Sequence, residues 1–505
     1  MLLETHPMRT APLLALLAMV GCTDGTDGDD DPTDTDDTDT GSDWIGPQPD
    51  GGCFTVNGDG GWTLLADAVL NTVDGDTVEV DGCSAITEGV VIGTSITLAG
   101  GDLTWEPPNE QSAITVSEGA DVTVTGFTFT AVEPIFQVQG TLNLSNAELL
   151  PYGWGMRVTG RAVVEGVSFV REQDSAMNFG GIQVRGGELE LRDSAILGAK
   201  GYGVAVVQGG SAVLSGNTIE DTAYVNNEQY LFDADGVGVM GDDATLTLSN
   251  NTIRGSGVAN VQIQGGTMTL DGDVLDTGLI GVLVDDATFE AYGVTVTDYN
   301  LFGMRLSSLV NEPVLEDITV STDPALNPTT TTNAGHWGIY VLDSVLTVRG
   351  TEAPAVVSGN NAAGIYVTPN LTTDVSGLTL DNVVLDDNQR FGATVYSGTH
   401  FDLTDVTVSN TRSHPETCDG ADGRQCDMAV AAWFTPLTWK GGSLVDTSDW
   451  GLLALEATSA IEDVTFARNA EYSIFSQAAG VTLHDVTFDQ NGHYGVYLHT
   501  SQLEA

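Results

Sequence analysis

The sequence predicts an all-β fold: a single-stranded right-handed parallel β-helix, a solenoid of roughly 22-residue coils, with a short N-terminal capping helix. Three observations predict it. A motif of the form Gly-[Ile/Val]-x-[Val/Leu] opens at Gly155, Gly181, Gly203, Gly236, Gly281, Gly303, Gly338, Gly364, Gly392, Gly451 and Gly495, with degenerate copies near Ala259, Asp427 and Ser473. Gly181 to Gly203, Gly281 to Gly303 and Gly451 to Ser473 are each 22 residues apart, room for two or three short strands and their turns. The composition agrees: 61 glycines against 16 prolines, with 41% hydrophobic residues, suits many tight turns around a continuous core. One such coil cannot bury its inward side chains alone, whereas coils stacked about 4.8 Å apart bury them in a single column. A leucine-rich repeat shares the period, but its Leu-x-x-Leu-x-Leu-x-x-Asn frame does not recur.

The N-terminal end predicts export. Arg9 precedes the apolar run Ala11–Val20, which has the length of a signal-peptide core and is too short to span a bilayer. Ala18-Met19-Val20-Gly21-Cys22 resembles a bacterial lipobox, with Met19 where leucine is usual. That resemblance implies lipidation of Cys22, and Thr23 after it implies sorting to the outer membrane or cell surface. Residues 1–22 are read as the signal and lipobox. Residues 23–50, rich in Asp and Thr, are an acidic tether that can bury nothing. Residues 51–505 are the solenoid with its cap. Four further cysteines in an exported chain predict disulfides, and proximity pairs Cys53 with Cys83 and Cys418 with Cys426. Their spacing fits no zinc site, and no metal ligand set is identified.

Within the solenoid, Trp62, Leu64, Leu65, Ala68, Val69 and Val73 share one helical face and predict the cap. Gly75-Asp76-Thr77 then turns into a strand at Val78–Val80, followed by strands at Val90–Ile92 and Ile96–Leu98. A short helix, a Gly-Asp-Thr turn and an Ile-Thr-Leu-x-Gly strand resemble the opening of the right-handed parallel β-helix proteins, the pectate-lyase-like superfamily. The resemblance implies that the helix plugs the open end of the apolar column. Asn217, Asn251 and Asp273 fall at one inward position, where stacked side chains would bond one another and the turn backbone. Asp193, Asp317, Asp405, Asp463 and Asp485 recur at a turn, where aspartate tolerates left-handed backbone. A calcium ladder is the sharper alternative there; no cofactor is otherwise required.

Net charge is −56, from 71 acidic and 15 basic residues. Such a surface repels nucleic acid and anionic polymers. Three coils carry 11 to 13 extra residues at one corner, at Thr222–Ala234, Asp323–Trp337 and Arg412–Cys426. Insertions along one edge of a repeat scaffold build a binding side or drift without function. Beside that edge runs the first strand of each coil, whose outward residues read Arg157, Gln183, Ala205, Gly238, Gln262, Leu283, Arg305, Tyr340, Tyr366, Thr394, Ala429, Leu453, Phe475 and Tyr497. Arg305, Trp337, Tyr340, Tyr366 and Tyr396 are the candidate ligand-binding residues, because an exposed aromatic strip suits sugar rings. The same tyrosines would equally serve as cross-strand pairs. A second column, Trp154, Tyr202, Phe302, Trp337, Phe391, Trp450, Tyr472 and Tyr494, precedes each strand-opening glycine or its equivalent and predicts a packed corner.

No catalytic residue is identified. The superfamily's polygalacturonases have only faint echoes in Asp233-Ala234-Asp235 and in Gly335-His336-Trp337-Gly338, and no Arg-x-Lys exists. Asp242-Asp243 and Asp285-Asp286 occupy equivalent turns two coils apart, at the margin of the carboxylate separation for inversion, about 6.5–9.5 Å. Arg305 is the candidate base of a lyase. The sequence therefore predicts a surface-displayed protein that binds a polysaccharide or envelope polymer. A polysaccharide lyase or hydrolase using Arg305 and His336, and a structural stalk or adhesin, remain as alternatives. The last coil ends at Tyr497-Leu498-His499 with no closing cap, which predicts either a chain truncated there or a partner covering that end.

Overall fold

The computed structural model describes residues 52–504 except 81, 84, 109–110, 132–133, 152, 172–180, 224–235, 324–335, 371–374 and 414–427. The signal, lipobox and tether lie outside the described residues, as do Cys418 and Cys426.

From Thr77 onward the chain winds through about 16 turns of parallel β-solenoid, with almost no helix. Each regular coil contributes a strand to each of three parallel ladders. The coil of Ile182–Arg185, Glu188–Arg192 and Ala195–Leu197 stacks in register on Tyr202–Val207, Ser211–Ser215 and Thr218–Glu220. Alternation drives this. In Met156–Val158 the outer two side chains are buried and Arg157 between them is exposed, because successive side chains of a strand point to opposite faces. The buried residue of the first strand then stacks on its own equivalent, as in Val239, Val261, Val282, Met304, Ile339 and Ile365. Near the N-terminal end the column holds Trp105, Phe127, Phe129 and Phe136, with Trp105 stacked on Phe129 and the other rings meeting edge-on or tilted.

The cap is shorter than predicted. Its helix spans Leu65–Leu70 and buries Leu65, Ala68 and Val69. Trp62 instead ends the strand Asp59–Trp62, and Leu64 and Val73 are exposed. Leu64 offers no capping side chain, so the carboxylate of Glu88 accepts the Leu65 N–H at 2.5 Å from a neighbouring turn. The Cys53–Cys83 disulfide forms and ties the first strand to the segment after Thr77–Val80.

The strand-opening glycines have a steric reason. A Cβ on Gly338 would stand 2.4 Å from the Gly364 carbonyl oxygen, and one on Gly364 2.5 Å from that of Gly392. This column also corrects two register assignments. Gly238 and Ala429 occupy the glycine position, two residues earlier than the outward position. Met240 and Ala431 are therefore the outward residues of their coils. The predicted turn aspartates Asp193, Asp317, Asp405, Asp463 and Asp485 all have left-handed backbone.

The predicted polar ladder is present. Asn217 Nδ2 donates to Asn251 Oδ1 at 2.9 Å, and Asn251 Nδ2 donates to Asp273 Oδ1 at 2.8 Å. A second ladder, after the third strand, was not predicted: Asn360 Nδ2 donates to Asn388 Oδ1 at 2.8 Å, and Thr447 Oγ1 to Asn469 Oδ1 at 2.8 Å. Tyr299, wholly buried, donates its hydroxyl to Asn360.

Asp273 closes the first ladder as a fully buried carboxyl, and burial pushes its pKa up to about 6 despite the N–H groups of Asn251 and Asp271 that it accepts. Its folded pKa lies above the unfolded value, so its stabilising neutral form is fully present below about pH 4 and lost as pH rises through about 6. Asp273→Asn is expected to remove that component, on the order of 2 kcal/mol, from the difference in unfolding free energy between pH 4 and pH 7. Parallel denaturant titrations of both proteins check it; identical pH profiles would contradict the assignment.

Candidate functional site

Two outward columns of the first-strand sheet build the site. The face column holds Leu283, Arg305, Tyr340, Tyr366 and Thr394 in register, and the corner column, three residues earlier, holds Ile280, Phe302, Trp337, Ala363 and Phe391. Because parallel ladders put identical positions above one another, residues some 30 apart in sequence become ring neighbours.

Tyr340 and Tyr366 lie parallel, with centroids 5.7 Å apart and planes 3° apart. At that separation the rings are offset, so each leaves part of a face uncovered. Trp337 stands nearly perpendicular to both, at 73° and 76°, with centroids 5.4 and 5.1 Å away. Phe302 closes the other side against Tyr340 at 5.4 Å. All four rings are partly exposed, forming an aromatic corner open to solvent. Arg305 sits one coil before Tyr340, and its charge favours the phenolate, while burial, the larger effect, raises the Tyr340 pKa. Burial likewise raises Tyr366. Both hydroxyls therefore remain protonated donors at neutral pH. No carboxylate of a described residue pairs with Arg305.

The structure thus brings together Arg305, Trp337, Tyr340 and Tyr366, with Phe302 added. Tyr396 stands slightly apart. It lies two residues past the face column, against Trp433 at 6.4 Å and Phe434 at 5.7 Å. The corner column proves to be of two kinds. Trp154 and Tyr202 are buried with Met240 in an apolar cluster outside the main column, as a packed corner requires. Phe302 and Trp337 are instead partly exposed and face the tyrosines, while Phe391 and Trp450 pack on a further buried cluster of Met428, Ala431 and Leu453. Phe302 was legible as a corner residue; its contact with Tyr340 needed the register.

The catalytic alternatives fare differently. Asp242 and Asp285 stand either side of Gln264 in register, and the adjoining Asp243 and Asp286 have left-handed backbone, as turn formers do. His336 is 5% exposed, and burial lowers its pKa. Asp233 and Asp235 lie outside the described residues, as does most of each long insertion, residues 224–235, 324–335 and 414–427. Among the described residues, no group of three His, Cys, Asp or Glu side chains converges as a metal site would require. A polar cleft lined by Asp386, Asp387, Arg412, Asp446 and Arg468 pairs four of these charges internally, Arg412 with Asp387 and Arg468 with Asp446 at 2.6 Å, while Asp386 accepts from Ser409 and Asn410.

A family model described as the right handed beta helix region matches residues 53–275 and 180–412, well over half of the chain. No curated protein matches. Among solved structures, the Dettilon tailspike protein is 12% identical over 59% of this chain, with a TM-score of 0.33, and this chain spans 60% of its length. The mannuronan C-5 epimerase A-module of Azotobacter vinelandii is 10% identical, covering 82% of this chain and 91% of its own, with a TM-score of 0.21. The family 28 exopolygalacturonase of Yersinia enterocolitica is 11% identical, covering 87% and 74%, with a TM-score of 0.21. These likenesses say nothing about chemistry.

Arg305→Met is expected to raise the titration midpoint of Tyr340, since removing the cation removes what favours the phenolate. The measurement is tyrosinate absorbance against pH, with Tyr340→Phe identifying the signal; an unchanged midpoint would place the guanidinium away from the ring.

Proposed function

The chain belongs to the right-handed β-helix family, and on that scaffold we propose a saccharide-binding protein, displayed at the bacterial cell surface through a lipid on Cys22. The observation that carries the reading is the aromatic corner of Trp337, Tyr340 and Tyr366 with Arg305 beside it. Sugar rings present apolar C–H faces and hydroxyl edges. The offset tyrosine faces and the indole accept the first, and the phenol hydroxyls and guanidinium meet the second. A net charge of −56 selects neutral polymers over polyanions unless cations bridge them. Binding without transformation is favoured because His336 is buried and the turn aspartates are committed to backbone conformation.

Affinity electrophoresis of the purified domain through a panel of neutral and acidic polysaccharides, with and without calcium, tests this. Retardation by a neutral polymer is expected, with no new reducing ends and no unsaturated products. Tyr340→Ala with Tyr366→Ala should weaken it at least tenfold, since truncated aromatic anchors cost about 2 kcal/mol or more. New chain ends would make the protein a hydrolase or lyase instead, and retardation that survives the double substitution would move the binding elsewhere. Metabolic labelling with a radioactive fatty acid should mark the full chain, and Cys22→Ala should abolish the label.

A further inference from the structure

The two columns that form the aromatic corner form a second one further along the same sheet. In the corner column, Tyr472 and Tyr494 are parallel within 9°, with centroids 5.4 Å apart. In the face column, Phe475 and Tyr497 are parallel within 14°, 5.3 Å apart. The stacks meet steeply: Tyr472 crosses Phe475 at 81° and Tyr497 at 67°. Trp450 caps the face stack, lying over Phe475 at 4.5 Å and 19°, with its indole N–H donated to the Glu471 carboxylate at 3.1 Å. The geometry therefore repeats that of Trp337 against Tyr340 and Tyr366, ring wall against ring wall at a near right angle. Two features differ: Trp450 lies nearly parallel to Phe475 where Trp337 stands upright on its tyrosines, and among the described residues no lysine or arginine belongs to the second corner, while Glu471 lies within it.

Register sets the distance between them. From Tyr340 the face column runs through Tyr366, Thr394, Ala431 and Leu453 to Phe475, five steps, or about 24 Å at the strand spacing. The intervening Thr394, Ala431 and Leu453 are buried, the last two in an apolar cluster on which Phe391, Trp433, Trp450, Leu455 and Phe475 pack, so a chain running between the corners crosses those partly exposed side chains. Within each stack the ring centroids are 5.3 to 5.7 Å apart, close to the advance of one sugar in an extended chain.

Building on the saccharide-binding reading, we propose that Trp450, Tyr472, Phe475, Tyr494 and Tyr497 form a second subsite, for an uncharged sugar of the same polymer. One polysaccharide chain then lies along the solenoid axis and engages both corners. An anionic sugar is disfavoured because Glu471 and the protein's net charge repel it, and among the described residues no cation stands beside them to compensate. Joining two weak subsites through one chain makes the second contact intramolecular, so affinity rises by the effective concentration, about 10²–10⁴ at best, once the chain can reach both.

The test uses the neutral polysaccharide retained in the panel, cut into a size-fractionated series from disaccharide to full chain and titrated by calorimetry into the full-length protein. Affinity should stay low for short oligomers and rise at least tenfold once they exceed the span between the corners. Phe475→Ala with Tyr497→Ala should abolish that rise, leaving affinity independent of oligomer length. Tyr340→Ala with Tyr366→Ala should weaken every length. In the native chain, Trp450 fluorescence, identified by Trp450→Phe, should respond to long oligomers at concentrations at least tenfold below those at which short ones act, which decides the matter even where ring deletions disturb the end coils. A flat length dependence, or long-chain affinity untouched by the Phe475 and Tyr497 substitutions, overturns the second subsite while leaving the first intact. Self-association that disappears with those substitutions also overturns it, making the rings an interface between copies. Absence of saccharide binding at every length overturns the first reading instead.

Discussion

In-register stacking of coil upon coil is the constraint from which the rest of this molecule follows. An inward side chain is buried only because its equivalents above and below complete the column, as Val239, Val261 and Val282 do for one another. A slip of one residue would turn every inward side chain of a coil outward. The asparagine ladders reinforce the alignment, since Asn217, Asn251 and Asp273 bond only when their coils are vertically aligned. The glycine column does the same through sterics, where neighbouring backbones approach too closely for a Cβ.

The alignment that builds the core also orders the surface. Outward residues have no obligation to match, yet the ladder places them above one another regardless. Where they are aromatic on both columns, rings meet as parallel stacks and perpendicular walls. Where they are small or aliphatic, as at Ala205 and Met240, the same positions join an apolar cluster with Trp154 and Tyr202 outside the main column. One sheet thus alternates between closed and open stretches while its backbone continues without interruption. Exposed aromatic surface on so acidic a chain is itself informative, because solubility is carried by carboxylates elsewhere and the rings stay available.

Acidic residues divide by task. Many of the aspartates sit at left-handed turn positions, as Asp193, Asp243, Asp286 and Asp317 do, where conformation accounts for them. Others are held in surface pairs such as Arg468–Asp446 and Arg349–Glu316, which contribute little to stability in water. Asp273 alone of the first ladder brings a carboxyl into the column, and burial sets its titration. Charge in this chain therefore shapes turns more than it holds the fold together.

The periodic glycines, the alternating valines and leucines and the recurrent turn aspartates made the solenoid, its coil length and the first polar ladder legible from sequence, because each repeats with the coil and a repeat is a one-dimensional signal. Cys53 with Cys83 was legible from proximity, and so was most of the aromatic corner, Arg305, Trp337, Tyr340 and Tyr366. The end of the helical cap was not, since Trp62 satisfies helical periodicity but pairs in a strand with Phe54. Nor were the places of Met240 and Ala431, because Gly236 resembles the strand-opening glycine that Gly238 is. The split of the corner column into buried and open halves, the Phe302 contact and the perpendicular ring walls were decided by tertiary structure alone. Those features depend on which side chains face one another across coils, and vertical neighbours lie 20 to 40 residues apart in a chain whose insertions make that separation irregular.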